Sequence, residues 1–178
     1  MFTTRLAKFN DVPVLQGLIA ESVRGLSKGY YTPGQIESSI KYIFGVDTQL
    51  LHDGTYYVAE ADGEVVACGG WSKRQTLFGG DQHKGADALL NPQTDAARIR
   101  AFFVHPAHAR QGIGRALIAL CEAEALKHGF AAMELGATLP GGPLYQALGY
   151  KSISKITVTM ADGEQLAVIK MHKDLRPL

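Results

Sequence analysis

The stretch "FFVHPAHARQGIGRALIALCEAEALKHG" (102–129) decides how this chain is read. It begins as the end of a strand, crosses a polar turn, and opens a helix through Gly112 and Gly114, both poor helix formers. The first four N–H groups of a helix lack intrahelical partners and its dipole is positive at that end. Glycines there let a phosphate approach the backbone. Arg110 and Arg115 flank the turn, and their guanidinium groups suit phosphate oxygens. A glycine-containing helix start with solvated arginines reads equally well from the spacing alone, because a GxG signal is weak. Two common nucleotide motifs are excluded: there is no GxxxxGKS or GxxxxGKT, and Ala116 and Leu117 follow Gly114 in place of a GxGxxG.

Outward from this stretch, the order of elements carries the fold. "ARIRAFFV" (97–104) reads as a strand, 112–128 as a helix, "AAMELGA" (131–137) as a strand and 143–148 as a short helix. "KSISKITVTM" and "EQLAVIKMHK" form a closing hairpin across Asp162-Gly163. Toward the N-terminus, "TTRLAKF" (3–9) is strand-like. A helix over 10–26 follows, with Val12, Leu15, Leu18, Ile19 and Val23 at helical spacing. A second helix is expected over 30–45, with Thr32 as N-cap, Pro33 at the first helical position and Gln35 completing a capping box. "TYYVAEADGEVVACGGWS" (55–72) places two strands around Asp62-Gly63, a type I′ turn dipeptide. The segment 73–96 is a long polar, glycine-containing connection, and "LFGGD" (77–81) within it suits a flexible lid.

Two helices, a hairpin and a strand-helix-strand crossover imply an α/β (α+β) sandwich: a mixed sheet with helices on both faces, not a doubly wound parallel one. With 178 residues, 46% of them hydrophobic, the chain suits a single domain, 1–178. Its 18 basic and 17 acidic residues nearly cancel and form no block of like charge, which gives no footprint for nucleic acid or an anionic membrane. No window approaches the ~18 apolar residues of a membrane span, and "MFTTRLAKFNDV" carries no long apolar segment, so a cytoplasmic protein is expected. Cys68 and Cys121 read as reduced core residues. His105 and His108 flank Pro106 in a turn, and no metal site is expected.

"FFVHPAHARQGIGRALI" followed by "PLYQALGY" (143–150) resembles the GNAT superfamily of acyl-CoA-dependent N-acyltransferases. The family pattern is a strand ending in V-x-P, a turn of form R/Q-x-x-G-x-G/A, and a later Y-x-x-x-G-F/Y. The element order is also similar, so the resemblance covers nearly the whole chain. It implies a mostly antiparallel twisted sheet of about seven strands with a splayed fourth and fifth strand. It further implies that the amides of Gln111, Gly112, Ile113, Gly114 and Arg115, with Arg110 beside them, hold the pyrophosphate of acetyl-CoA. Phe102, Phe103 and Val104 would then line the gap that takes the pantetheine arm, with the Val104 amide polarising the thioester carbonyl. The family arginine position is Ala109 here, with the arginine displaced to Arg110.

Tyr145 matches the family tyrosine that protonates the leaving thiolate, a role suited to a phenol with pKa near 10. The general base is unassigned. The positions where many members carry a glutamate are Arg98 and Arg100, and Glu134 is a candidate that also reads as an edge charge or ion pair. Arg98 and Arg100 could hold an anionic group of the acceptor or simply form salt bridges. Tyr30, Tyr31, Trp71 and Phe78 could form an aromatic wall beside it, although a core role for Trp71 competes evenly. The expected activity is transfer of an acetyl group to a primary amine of an unidentified acceptor by direct attack. The alternative is a non-catalytic acyl-CoA-binding or sensing module. A homodimer is expected from family habit, with the terminal hairpin as its contact.

Overall fold

The computed structural model describes residues 1–176. One sheet runs through seven strands: β1 Thr3–Leu6, β2 Tyr56–Ala61, β3 Glu64–Ser72, β4 Ala97–Val104, β5 Ala132–Thr138, β6 Lys151–Thr159 and β7 Gln165–Asp174. Their order is β1-β2-β3-β4-β5-β7-β6, and every neighbouring pair is antiparallel except β4 with β5. The helices are α1 Val12–Leu26, α2 Pro33–Tyr42, α3 Thr48–Asp53, α4 Ile113–Lys127 and α5 Gly142–Ala147.

Apolar spacing decides which face each helix covers. Leu15, Leu18, Ile19 and Val23 of α1 are buried and share a core with Val58, Cys68, Leu166 and Val168 on one face of the sheet. Ile118, Cys121 and Ala125 of α4 pack on the other face with Trp71, Ile99, Met133 and Leu135. The capping box at α2 forms in full: Gln35 N–H donates to Thr32 Oγ1 at 3.1 Å, and Thr32 N–H donates to Gln35 Oε1 at 2.9 Å. Asp62 and Gly63 turn the β2–β3 hairpin with φ of 52° and 81°, as a type I′ turn requires.

The second helix stops short of the expected residue 45. It ends at Tyr42, and a third helix, α3, follows after the extended Asp47 and is stopped by Gly54 with φ of 69°. After the break Phe44 packs edge-on against Phe103 of β4, and Gly45 lies against Gly80 and Gln82.

The site is made by a fault in β4. Ala101 adopts φ of 55°, a left-handed conformation that costs a non-glycine residue about 1–2 kcal/mol. Cys68 pairs with Phe103 but Gly70 pairs with Arg100, so Ala101 and Phe102 together oppose Gly69. A Cβ on Gly69 would lie 2.4 Å from Phe102 Cε2, so only glycine lets the Phe102 ring lie across β3. The Tyr56 hydroxyl donates to the Ala101 carbonyl at 3.3 Å and props the bulge from beneath. The parallel pairing of β4 with β5 is confined to Ala97↔Met133 and Arg98↔Glu134, after which the strands separate.

Candidate active site

A cavity of 630 Å³ fills the gap between β4 and β5. It reaches the α4 N-terminus, follows β4 from Ile99 to Val104, and is bordered by the second half of α1, whose Gly25 lies against Pro106. Gly112 stands as N-cap of α4 with φ of 83°, and the preceding Arg110 also has positive φ, 60°. A Cβ on Gly112 would meet no atom within 4 Å, so this residue faces open space. A Cβ on Gly114 would approach Leu144 Cδ2 to 3.0 Å. The turn therefore leaves room for a bulky anion directly over unpaired helix-terminal amides. Arg110 and Arg115 line this end, and among the described residues neither forms an ion pair. Gln111 turns its side chain back, its Nε2 donating to the Ala107 carbonyl at 3.3 Å, and Ile113 is buried in the core. Those two offer only backbone.

Phe102, Phe103 and Val104 all line the cavity. His105 N–H donates to the Val66 carbonyl at 2.8 Å, which makes Val104 and Ala67 a non-hydrogen-bonded pair. The Val104 N–H consequently points away from β3, into the gap that β5 leaves. Tyr145 of α5 also lines the cavity and is 8% exposed. Its ring meets Tyr150 edge-on at 5.7 Å, and among the described residues its hydroxyl makes no hydrogen bond. Burial pushes its phenol above the ordinary tyrosine range, so it holds its proton at neutral pH.

The candidate acceptor residues separate into two groups. Tyr30 stands at the cavity rim, 52% exposed, and Phe78 lines the wall against β5, where a Cβ on Gly136 would come within 2.8 Å of its ring. Tyr31 is held elsewhere: its hydroxyl donates to the Ala167 carbonyl at 2.6 Å and accepts from Leu139 N–H at 2.9 Å. Trp71 is buried in the core against Phe130 and His128. Neither Tyr31 nor Trp71 lines the cavity.

Arg98 and Arg100 are both bound to carboxylates. Arg98 pairs with Glu134 at 3.2 Å. Arg100 is buried and donates to Asp47 at 2.6 and 2.8 Å, to Asp87 at 3.0 Å and to Ser72 at 3.1 Å. Glu134 is further engaged by Lys170 and His172 and does not line the cavity. Burial raises its pKa, but the Lys170 and His172 hydrogen bonds outweigh that and leave it below the usual carboxylate range, the wrong direction for a base.

The 77–81 segment is fastened at several points. Gly80 N–H donates to the Ile43 carbonyl at 2.8 Å, Asp81 N–H to the Val46 carbonyl at 3.1 Å, and Thr48 N–H to Asp81 Oδ1 at 3.0 Å. Ser22, Ser27, Phe44 and Gly45 line the cavity without having been singled out from the sequence. The signal for Phe44 and Gly45 was the Asp47 and Gly54 pair bracketing a separate helix. Among the described residues, no group of three His, Cys, Asp or Glu side chains is placed to hold a metal, and no helix is long and apolar enough to cross a membrane.

A helix N-terminus faces a gap between two splayed strands, with Tyr145 in the cavity wall. The model of the acetyltransferase (GNAT) family matches residues 21–150, and the chain belongs to this family. No curated protein sequence matches it. Among solved structures it is similar to a GCN5-related N-acetyltransferase from Rhodopseudomonas palustris, with TM-score 0.73, 20% identity, and coverage of 97% of this chain and 94% of that one. It is similar to the PaiA N-acetyltransferase of Thermoplasma acidophilum in complex with coenzyme A, with TM-score 0.64, 16% identity and coverage of 98% and 99%. A Salmonella typhimurium protein solved with its cofactor acetyl-CoA gives TM-score 0.59, 18% identity and coverage of 100% and 96%.

Proposed function

We propose that this chain transfers the acetyl group of acetyl-CoA to a primary amine by direct attack. The observation that carries the proposal is the cavity itself: unpaired helix-terminal amides at one end, the Val104 amide along its length and the free Tyr145 hydroxyl in its wall. The open space over Gly112 and the unpaired Arg110 and Arg115 fit a pyrophosphate. When bound, acetyl-CoA supplies an acyl carbon activated as a thioester and a thiol leaving group.

The residues of the chain then have separate tasks. The Val104 N–H stabilises negative charge on the acyl oxygen as the amine nitrogen bonds to the acyl carbon. Tyr145 donates its phenolic proton to sulfur as the carbon–sulfur bond breaks. The proton lost by the amine nitrogen restores the phenol, so the balance is amine plus thioester to amide plus thiol. Cys68 and Cys121 are buried in the core and take no part; burial pushes the Cys68 thiol up to about 12, so neither provides an acyl-cysteine route.

The homodimer expected from the sequence would use the terminal hairpin 150–172, in which β6 is a mostly exposed edge strand with Ile153 54% exposed. The test of function is calorimetric titration of acetyl-CoA together with thiol release over a panel of primary amines. Saturable binding with thiol release is the expected result. Tight binding with no release from any amine would instead favour the sensing module.

A further inference from the structure

The side of the cavity formed by α1 and the α2–α3 connection is lined by Val23, Leu26, Phe44 and Phe78, with Tyr30 at the rim. Phe44 meets Phe103 edge-on at 6.0 Å, and Phe78 is backed by the ring of His83, stacked at 5.2 Å. Both rings are therefore fixed by neighbours, and the wall is mostly apolar, with the small hydroxyls of Ser22 and Ser27 its polar side chains. Among the described residues, the ionisable side chains that reach the cavity are Arg100, His108, Arg110 and Arg115, with the phenols of Tyr30 and Tyr145; none of these is a carboxylate. Arg100 brings no free charge, because Asp47 and Asp87 occupy its guanidinium. The carboxylates nearest in sequence to this wall are committed elsewhere: Asp47 to Arg100 and Lys84, Asp81 to Thr48 N–H and Lys84, and Glu21 to His105.

We propose that the acceptor is a primary amine carried on an aromatic or aliphatic group without a second cationic centre, held between Phe44, Phe78 and Tyr30. The inference rests on the acetyltransferase reading. An apolar group that leaves water for this wall is stabilised in proportion to the surface it buries. A second ammonium, as on a diamine or a basic peptide, would leave water for a site with no counter-charge, and that uncompensated burial is costly. The same composition requires the reacting amine to enter as its free base, since no carboxylate is placed to take its proton on this wall.

The experiment compares 2-phenylethylamine with 1,4-diaminobutane. Thiol release from acetyl-CoA gives kcat/KM for each, and calorimetry gives their affinity for the protein saturated with CoA. The expected result is a preference for 2-phenylethylamine of at least about tenfold in both measurements, a lower bound because the rim lets the second ammonium of the diamine stay partly in water. Tyr30→Glu, at an exposed position that tolerates charge, is expected to narrow or reverse the preference. Equal or better use of the diamine overturns the inference, as does failure of both amines to bind the CoA-loaded protein. A ratio unmoved by Tyr30→Glu overturns the placement of the acceptor on this side. If 2-phenylethylamine binds preferentially but releases no thiol, the pocket assignment stands and the transferase reading falls.

Discussion

The Arg100 guanidinium, on β4, meets the Asp47 carboxylate ahead of α3 through two hydrogen bonds to one oxygen, at 2.6 and 2.8 Å, with neither side chain exposed. Arg100 also reaches Ser72 on β3 and Asp87, and Lys84 pairs with the same Asp47 carboxylate. One residue beyond Arg100 lies the left-handed Ala101. The network therefore ties the long 73–96 connection and the start of α3 to the strand at the point where the bulge begins.

Removing Asp47 leaves the buried Arg100 with Asp87 as its one carboxylate partner, and the loss approaches the ~3–5 kcal/mol typical of breaking a buried pair. Asp47→Asn is expected to lower the denaturant midpoint accordingly. Replacement of Arg100 and Asp47 together by Met and Leu is expected to cost at least as much as Asp47→Asn, because it leaves Asp87 without its arginine and Lys84 without Asp47. A single variant as stable as the parent would show that the pair contributes nothing to the fold.

Gly69 faces the Phe102 ring so closely that a Cβ would lie within 2.4–2.6 Å of three ring atoms. Gly69→Ala is expected to drive that ring out of place, either into the cavity or against β3, at a cost of roughly 1–3 kcal/mol for overpacking. Acetyl-CoA affinity should fall with the ring's displacement while far-ultraviolet circular dichroism keeps its parent shape. Unchanged affinity in calorimetry would mean that Phe102 does not border the bound acyl chain.

Gly112 tests the anion end separately. At φ of 83° a β-branched residue is strained, and its side chain would occupy the open space over the α4 amides. Gly112→Val is expected to weaken acetyl-CoA binding about tenfold or more, on the order of one charge-assisted hydrogen bond. The measurement is again calorimetric, with the melting temperature as control for folding.

Much of this was legible in the sequence because the signals are local. The Thr32–Gln35 capping box, the Asp62-Gly63 turn and the α1 stripe each depend on residues within a few positions of one another. The glycine turn at 110–115 belongs to the same class. What escaped depends on distant partners: the ion pairs of Arg100 join residues 53 and 13 positions apart in sequence. Spacing alone could not tell a substrate-holding arginine from a buried structural one. Tyr31 escaped for the same reason, since a carbonyl 136 residues away holds it, while the core role of Trp71, left even from the sequence, is decided by the α4 face that buries it.

Alkaline pH should destabilise the fold. Burial raises the thiol of Cys68 from 9.0 to about 12 and raises that of Cys121 further, and it also raises the phenols of Tyr56 and Tyr150. Above about pH 9 the unfolded chain loses these protons while the folded chain keeps them. The folded state then binds more protons, and stability falls as pH rises. Denaturant midpoints measured from pH 7 to 11 should decline from about pH 9, and Cys121→Ala should flatten the early part of that decline. A flat profile would rule out proton retention by these groups.

Tyr145 separates catalysis from binding. Its hydroxyl makes no hydrogen bond among the described residues, so Tyr145→Phe removes the donor without stranding a partner and keeps the ring against Tyr150. Stability and acetyl-CoA affinity are expected to stay close to the parent, while kcat falls by ~10²-fold, the scale of a lost general acid. Because burial holds the phenol protonated above its ordinary range, the parent's rate should show no alkaline decline from this group below about pH 10. The decisive comparison uses an acetyl donor whose leaving group is more acidic than a thiol: it needs no proton, so it should narrow the gap between Tyr145→Phe and parent. A gap that persists unchanged would place the effect of Tyr145 in positioning and not in proton transfer to sulfur.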